Sequence, residues 1–303
     1  MKIGFIKTLL VVGLVFTIIG GIVFSVAMTI NGWDFSVLSS HVAQRRVVEI
    51  VDQEEINSIT SVKVEFSTAD VAIVYHDDEK ITVDGFDLAK RNGKVVEELS
   101  VKVAEGQLVL SFEKKNHSMF QIGSWGKRTV TVKLPKHMVV DLSVKVSTGD
   151  VSIGEKGQVV TFNNVSVKTT TGDVIINGNV QCSDLSITNS TGETYVNGTL
   201  TANKIIRNAD TGDMIINAKI TAQSIKVTNS TGDVICSAYI TANLIDVETS
   251  TGDITLKLLG NKNDYSYTYD ISTGDSNISA FISGAKQIKV VASTGDASIY
   301  FEK

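Results

Sequence analysis

A four-residue pattern, Ser-Thr-Gly-Asp or a close variant, recurs through the second half of the chain. Its glycines are separated by 23, 20, 20, 20, 20, 22 and 21 residues. A fixed period near 20 residues is typical of an array in which one small structural unit stacks on the next. The glycines are Gly149, Gly172, Gly192, Gly212, Gly232, Gly252, Gly274 and Gly295.

Aliphatic residues at fixed positions around each glycine predict short strands. In the unit around Gly232 they are Ile225, Val227, Val234, Cys236, Ile240 and Ala242. These residues form three successive pairs, and the two members of each pair are two residues apart. This spacing is the period of a strand with one buried face. No unit contains a helical pattern long enough for a crossover helix. The sequence therefore predicts an all-β fold, a single-stranded β-solenoid with coils of about 20 residues, each with three strands and three corners.

The residue after each glycine is acidic, and stacking of coils would align these residues in a column. They are Asp150, Asp173, Glu193, Asp213, Asp233, Asp253, Asp275 and Asp296. Like charges about 5 Å apart repel by roughly 1 kcal/mol even in water. Backbone amides and the preceding threonine hydroxyls can relieve this repulsion, because aspartate and glycine are the usual residues of tight turns. We interpret the motif as a structural corner, with a ladder of calcium ions between the carboxylates as the alternative.

Residues 8–30 form an uncharged apolar stretch preceded by Lys2 and Lys7. Its 23 residues would span about 34 Å as a helix, enough to cross a bilayer. Lysines on the N-terminal side predict a single-pass anchor with a cytoplasmic N-terminus and an exported remainder. The alternative is a signal peptide cleaved near residues 25–27, where small residues occur.

Two further segments could make contacts. Small side chains recur every four residues in the apolar stretch, where they could form a helix-pairing face or could simply reflect how common small residues are in membrane helices. They are Gly13, Thr17, Gly21 and Ser25. In the loop 116–128, apolar side chains beside basic ones could contact lipid or a partner, or could instead cap the core. These apolar residues are Met119, Phe120, Ile122 and Trp125.

The same patterns divide the chain into four parts. Residues 1–30 are the predicted anchor, 31–50 a linker, 51–145 a degenerate repeat and cap region, and 146–303 the regular solenoid. Within the solenoid, Arg207 occupies a column that is otherwise apolar. An insertion at 259–264 precedes three tyrosines, which predicts either a wider coil or a binding patch. The tyrosines are Tyr265, Tyr267 and Tyr269.

Composition excludes several classes of function. The net charge of −5 argues against nucleic acid as a partner. Two cysteines and four scattered histidines provide no ligand spacing typical of a metal site. We therefore expect no cofactor.

The segment "LPKHMVVDLSVKVSTGDVSI", residues 134–153, and the Thr-Gly-Asp coils that follow it resemble the bacterial DUF4097 family of adhesin-like β-strand repeat proteins. The resemblance covers roughly residues 50–303. It implies a membrane-anchored protein with a role at the cell envelope, as an adhesin-like protein or an accessory of envelope-stress sensing. It implies no catalytic residues.

These observations favour a non-catalytic binding or scaffold protein whose partner is an envelope protein or a polysaccharide. Stacked coils suit that function, because each adds surface without disturbing the others. A carbohydrate-active β-helix enzyme is one alternative, but acid-base catalysis needs a distinctive pair of groups rather than one acid per coil. A sensor that signals through the membrane helix is the other.

Overall fold

The computed structural model describes Thr17, Ser25, Val26, Thr29 and residues 41–90, 93–115, 124–125, 128–277, 279–281 and 283–302. The four residues before residue 41 are helical. The predicted membrane segment and its helix-pairing face therefore lie almost entirely outside the described residues and stay predictions. Among the residues that are described, no helix is both long and apolar enough to span a bilayer.

Most strands pair in parallel with the equivalent strand of the neighbouring coil and form three faces. Face 1 carries the strands that end at the glycine turn, together with two N-terminal strands that precede other turns. In spatial order it consists of β6 (Gln107–Lys114), β2 (Ser61–Thr68), β9 (Asp141–Thr148), β12 (Asn164–Thr171), β14 (Asn179–Thr191), β16 (Leu200–Thr211), β18 (Ile220–Thr231), β21 (Leu244–Thr251), β24 (Lys286–Thr294) and β23 (Tyr265–Thr273).

Face 2 begins directly after the glycine turn. Its strands are β8 (Thr129–Pro135), β3 (Asp70–His76), β10 (Val151–Ile153), β13 (Val174–Ile176), β15 (Thr194–Val196), β17 (Met214–Ile216), β19 (Val234–Cys236), β22 (Ile254–Leu259) and β25 (Ala297–Glu302). Face 3 is shorter. It contains β11 (Val159–Thr161), the first residues of β14, β16 and β18, and β20 (Ile240–Thr241).

The register confirms that coils stack with equivalent residues over one another. Thr191 pairs with Thr171 on one side and with Thr211 on the other. Inward residues of the three faces meet in one continuous core, in which Ile187 and Val227 are each 1% exposed. The predicted parallel stacking of three-stranded coils is therefore correct for this part of the chain.

An antiparallel region covers the N-terminal end of the stack. Strand β4 (Ile81–Lys90) pairs antiparallel with β1 (His41–Ile50), β5 (Val95–Ala104) and β8, and β5 continues to β6. The short strand β7 (Ser124–Trp125) lies parallel to β1. Helix α1 (Gln53–Ser58) follows β1, and the side chain of Asp52 accepts a hydrogen bond from Glu54 N–H at its start.

One part of the predicted domain division, the linker, differs from the structure. Residues 31–50 read as a linker, but residues 41–50 are β1, which pairs with β4 along its whole length. Paired strands satisfy backbone groups that a linker leaves to solvent. Residues 51–145 read as degenerate repeat and cap, and they contain a single coil, residues 61–76. That coil pairs with β9 and β10, which follow it in the sequence only after the antiparallel region.

The C-terminal coils do not stack in sequence order. Strand β24 pairs with β21 on one side and with β23 on the other, so the turn at Gly295 lies between those at Gly252 and Gly274. The repeat pattern alone does not show this exchange, because the motifs at Gly274 and Gly295 are identical. A 3-10 helix (Lys262–Asp264) fills the insertion.

Aromatic side chains widen the core at this C-terminal end. Tyr265 and Tyr267 are buried, whereas Tyr269 is 40% exposed. The ring of Tyr267 stacks on Phe281 with centroids 5.4 Å apart, and Tyr265 lies 5.6 Å from Phe301. Two of the three tyrosines thus fill a wider coil rather than form a surface patch.

Candidate functional site

The glycine turns form a column along the edge between faces 1 and 2. All eight have φ between +135° and +144°, a region that side chains disfavour. A Cβ at any of them would lie 2.0–2.4 Å from the carbonyl oxygen of the turn residue one coil away. Glycine is required here by both backbone conformation and close stacking. The first coil has Ala69 at this place, without positive φ.

The acidic residues after these glycines form a ladder in which most of the carboxylates, and that of Asp70 in the first coil, accept a hydrogen bond from the backbone N–H of the equivalent residue one coil away. The bonds are 2.7–3.1 Å long and run from Asp150 to Asp70, Asp173 to Asp150, Glu193 to Asp173, Asp233 to Asp213, Asp253 to Asp233, Asp296 to Asp253 and Asp275 to Asp296. A hydrogen bond to a charged group contributes about 1.5–3 kcal/mol, more than the repulsion of roughly 1 kcal/mol between neighbours.

Glu193 is the one longer acid of the column, and its carboxylate is oriented differently. It accepts a hydrogen bond from the hydroxyl of Tyr195 on the outer surface of face 2. This bond raises the pKa of Tyr195 to about 12. Within the described part of the chain, no cluster of three or more His, Cys, Asp or Glu side chains is arranged to hold a metal ion.

A buried polar network lies behind the turns, inside the stack. In several coils the residue three before the glycine donates to that glycine's carbonyl, as Thr169 does to Gly172 (3.3 Å) and Asn189 to Gly192 (3.0 Å). Ala209 has no donor for Gly212. Arg207 supplies it instead, through a bond of 2.9 Å from its guanidinium to the Gly212 carbonyl.

Arg207 is fully buried, and its hydrogen-bond partners are neutral groups. Besides Gly212 it donates to Thr194 Oγ1 (3.3 Å), to Asn229 Oδ1 and to the carbonyl of Asp213 (3.1 Å). Burial lowers the pKa of Arg207 to about 10, so the side chain stays protonated at neutral pH. Arg207 interrupts a column that is apolar in the other coils. We conclude that it does so to complete the hydrogen bonds inside the stack.

An open trough of about 610 Å³ crosses the outer surface of face 1 over β2, β9, β12 and β14. Its lining residues are Ser61, Val62, Lys63, Gln107, Asp141, Leu142, Ser143, Asn164, Val165, Ser166, Asp184 and Ser186. Nearly all of the outward side chains are polar, because strand alternation directs the aliphatic residues into the core.

Serines form the floor of this trough. Ser143, Ser166 and Ser186 stand side by side in neighbouring coils, six residues before their glycines. Because serine is small, the surface is depressed between the longer side chains on either side. In the next coil Ile206 takes the place of the serine and Lys204 that of Asp184, and the lining of the trough stops there.

The wall at the start of the strands consists of Asp141, Asn164 and Asp184. Asn164 donates from its backbone N–H (3.1 Å) and from its side-chain amide (2.9 Å) to Asp141 Oδ1. Lys63 adds an ammonium group beside Ser143, at the end of the serine row in the first coil. Hydroxyls donate and accept, carboxylates accept and the amide does both, so the trough can hydrogen-bond a ligand rich in hydroxyl groups.

The structure separates the residues that the sequence singled out. The turn residues share one edge, and the trough lies on the outer surface of the adjoining face. Met119, Phe120 and Ile122 lie outside the described residues, and only the backbone of Trp125 is described, as part of β7. The serine floor was missed. It could have been found by aligning the coils on their glycines. That alignment shows serine at the same outward position in three successive coils.

Several solved structures have a similar course of the chain. A "putative adhesin" from Bacteroides fragilis NCTC 9343 is 16% identical with a TM-score of 0.49, covering 86% of this chain and 97% of its own. A "putative adhesin" from Parabacteroides merdae ATCC 43184 is 12% identical with a TM-score of 0.43, covering 84% and 95%. A "putative lipid binding protein" from Parabacteroides distasonis ATCC 8503 is 19% identical with a TM-score of 0.42, covering 86% and 99%.

No curated protein matches this chain. The profile of the family described as Toastrack DUF4097 matches residues 59–299. The match extends from the strand region of the first coil to β25, and it covers the glycine turns and the antiparallel region except for β1. By this match over most of its length, the chain belongs to the Toastrack DUF4097 family.

Proposed function

We propose that this protein is a non-catalytic binding or scaffold protein of the bacterial cell envelope, anchored in the membrane by residues 8–30, and that the trough on face 1 binds an extended glycan. The serine floor is the observation that carries the proposal. It presents hydroxyl groups in three successive coils, beside carboxylate and amide groups.

The direction of the trough supports a polymer as ligand. The three serines are related by the stacking of coils, so the trough runs along the stack and repeats about every 4.8 Å. A chain molecule can lie along such a surface and repeat its hydrogen bonds from coil to coil. The trough is open to solvent, which suits a ligand longer than the site.

The even distribution of the polar groups favours binding over catalysis. Glycoside hydrolysis needs one pair of carboxyl groups with different protonation states on the two sides of the scissile bond. Here Asp141 and Asp184 occupy equivalent places on the same wall. Binding by repeated hydrogen bonds needs no such distinction.

Binding of cell-wall glycan fragments to the full-length protein in membranes tests the proposal. In the variant Ser166→Tyr the ring would fill the middle of the trough without entering the core, because Ser166 is exposed. We expect this variant to lose glycan retention. The matched control is Thr201→Tyr, an exposed hydroxyl residue on the outer surface of face 3, which should retain it.

Equal retention by the two variants would contradict binding in the trough. Release of new reducing ends from the glycan by the unmodified protein, abolished by Asp184→Asn, would show an enzyme instead. Both readouts come from one incubation, so binding without turnover and turnover are distinguished directly.

A further inference from the structure

The outer surface of face 2 carries an apolar stripe. Ile175, Tyr195, Ile215 and Ile235 occupy the outward position three residues after their glycines and pair with one another in adjacent coils. Each is half-buried, whereas the residues on both sides of it in the strand are buried in the core. A run of four large apolar side chains on the outside of a solvated sheet indicates a contact surface.

The stripe has an acidic border on one side. The column of carboxylates described above lies two residues before each stripe residue, on the same outer surface, as the bond from Tyr195 to Glu193 shows. In that column one oxygen of each aspartate accepts a hydrogen bond from the next coil, as in Asp233 and Asp253. Its second oxygen is available to another donor.

The opposite border consists of hydrogen-bond donors. Two residues after the stripe position, five successive coils carry Asn177, Asn197, Asn217, Ser237 and Lys257. The asparagines form a ladder in which Asn217 donates to Asn197 (2.9 Å) and Asn197 to Asn177 (3.1 Å). Each amide nitrogen has two hydrogens, so one remains for a partner.

From this arrangement we infer that face 2 is the interface of a homodimer, in which a second copy packs its stripe on the first. The two-fold axis runs parallel to the axis of the coil stack. This rotation exchanges the left and right borders, so the acids of each copy face the donors of the other. Asp213 faces Asn217 of the second copy, Asp233 faces Ser237 and Asp253 faces Lys257.

Two properties of the stripe point to a second copy as its occupant. The same chain has the same spacing of about 4.8 Å between coils, so contacts made in one coil repeat in register in the next. The borders are also self-complementary under this rotation, which is the requirement for an isologous interface. Packing in the opposite direction would place acids against acids, and repulsion disfavours it.

The dimer is independent of glycan binding, because the trough lies on face 1 and the stripe on face 2. Each surface can therefore be altered without changing the other. Loss of the dimer with intact glycan retention would locate the failure in this inference alone.

Disulfide formation in the full-length protein in membranes, under a mild oxidant, tests the interface. In a background with Cys182→Ser, the variant I215C should give a covalent dimer because residue 215 faces its own copy across the axis. The control S166C, on the outer surface of face 1, should remain monomeric. Equal cross-linking at both positions, or none at residue 215, would overturn the inference.

The direction of packing and the role of the stripe have separate readouts. I175C and I235C should each form a covalent dimer when prepared separately. If a cross-link formed only when the two variants were mixed, the copies would pack antiparallel and the proposed axis would be wrong. Sedimentation of the detergent-solubilised chain should show a dimer that Ile215→Asp converts to monomer. A monomeric unmodified chain would also overturn the inference.

Discussion

At the scale of single residues, the turn glycines meet two separate requirements. Gly212 has φ +135°, and a Cβ there would lie 2.0 Å from the carbonyl oxygen of Gly192. Gly157 has φ +81°, but a Cβ there would meet nothing within 4 Å. The two positions therefore separate the energetic effect of backbone conformation from that of close stacking.

Replacement of these glycines should have unequal effects. Gly157→Ala introduces only backbone strain and should reduce the free energy of unfolding by about 1–2 kcal/mol. Gly212→Ala adds a clash with backbone that neighbouring coils hold in place, and should cost more than about 3 kcal/mol. Denaturant unfolding of the two variants measures the difference. Equal losses would show that stacking at the turn is loose enough to relax.

The pair Arg207 and Ala209 is a compensation within one coil. Where other coils use Thr or Asn three residues before the glycine, this coil has alanine, and Arg207 donates to the Gly212 carbonyl from two residues further back. The arginine supplies a hydrogen bond but requires burial of a cation. Thr194, Asn229 and the carbonyl of Asp213 accept its remaining bonds.

A double-mutant cycle should reveal this coupling. Arg207→Val leaves the carbonyl of Gly212 with the long bond of 3.5 Å from the side-chain amide of Asn229 and should destabilise the protein by about 2–4 kcal/mol. The second change Ala209→Thr returns a donor to the position used by Thr169 and should recover more than half of the loss. Ala209→Thr alone should destabilise, because the arginine already fills that space. Additive effects in thermal unfolding would argue against compensation.

At the scale of elements, the acidic column connects coils rather than marking separate sites. Most of the carboxylates, such as those of Asp213 and Asp233, join their coil to the next through a backbone N–H, so the charge of one turn satisfies a donor of its neighbour. The same hydrogen bond offsets part of the repulsion between neighbouring carboxylates. The calcium ladder considered from the sequence is not needed to explain the stacking.

Asp233 distinguishes the effect of the hydrogen bond from that of the charge. Asp233→Ala removes the acceptor for Asp253 N–H and should destabilise by about 1–2 kcal/mol. Asp233→Asn retains an acceptor and removes one like charge, so its loss should be smaller. Melting temperatures should be the same with calcium and with EGTA at matched ionic strength. A calcium-dependent increase that Asp233→Asn abolishes would favour the metal ladder.

At the scale of the whole molecule, the sequence contained the stacking but not the order of the stack. The 20-residue period assigns residues such as Ile187 and Val227 to equivalent positions in different coils. Strand alternation then places both side chains in the core. Gly274 and Gly295 have the same motif, so the pattern cannot distinguish which lies next to Gly252. The antiparallel region was hidden for a related reason, since antiparallel and parallel strands share the same alternation.

The position of the trough shows the same limit for a binding surface. The serine at residue 166 and those beside it are visible in the aligned sequence. Small polar residues on a strand do not predict a trough, however, until the longer side chains around them are known. Those neighbours come from different coils, and one of them, Lys63, comes from the coil before the antiparallel excursion. The depth of the trough therefore depends on residues that only the folded chain brings together.

The exchanged order of the last coils bears on how the molecule is made. The ribosome adds β24 after β23, yet β24 lies between β21 and β23 in the finished stack. A nascent chain ending at residue 285 lacks the strand that separates β21 from β23 in the finished stack. The last coils therefore cannot be added in the order of their synthesis, because β23 finds its neighbour only once β24 has been made.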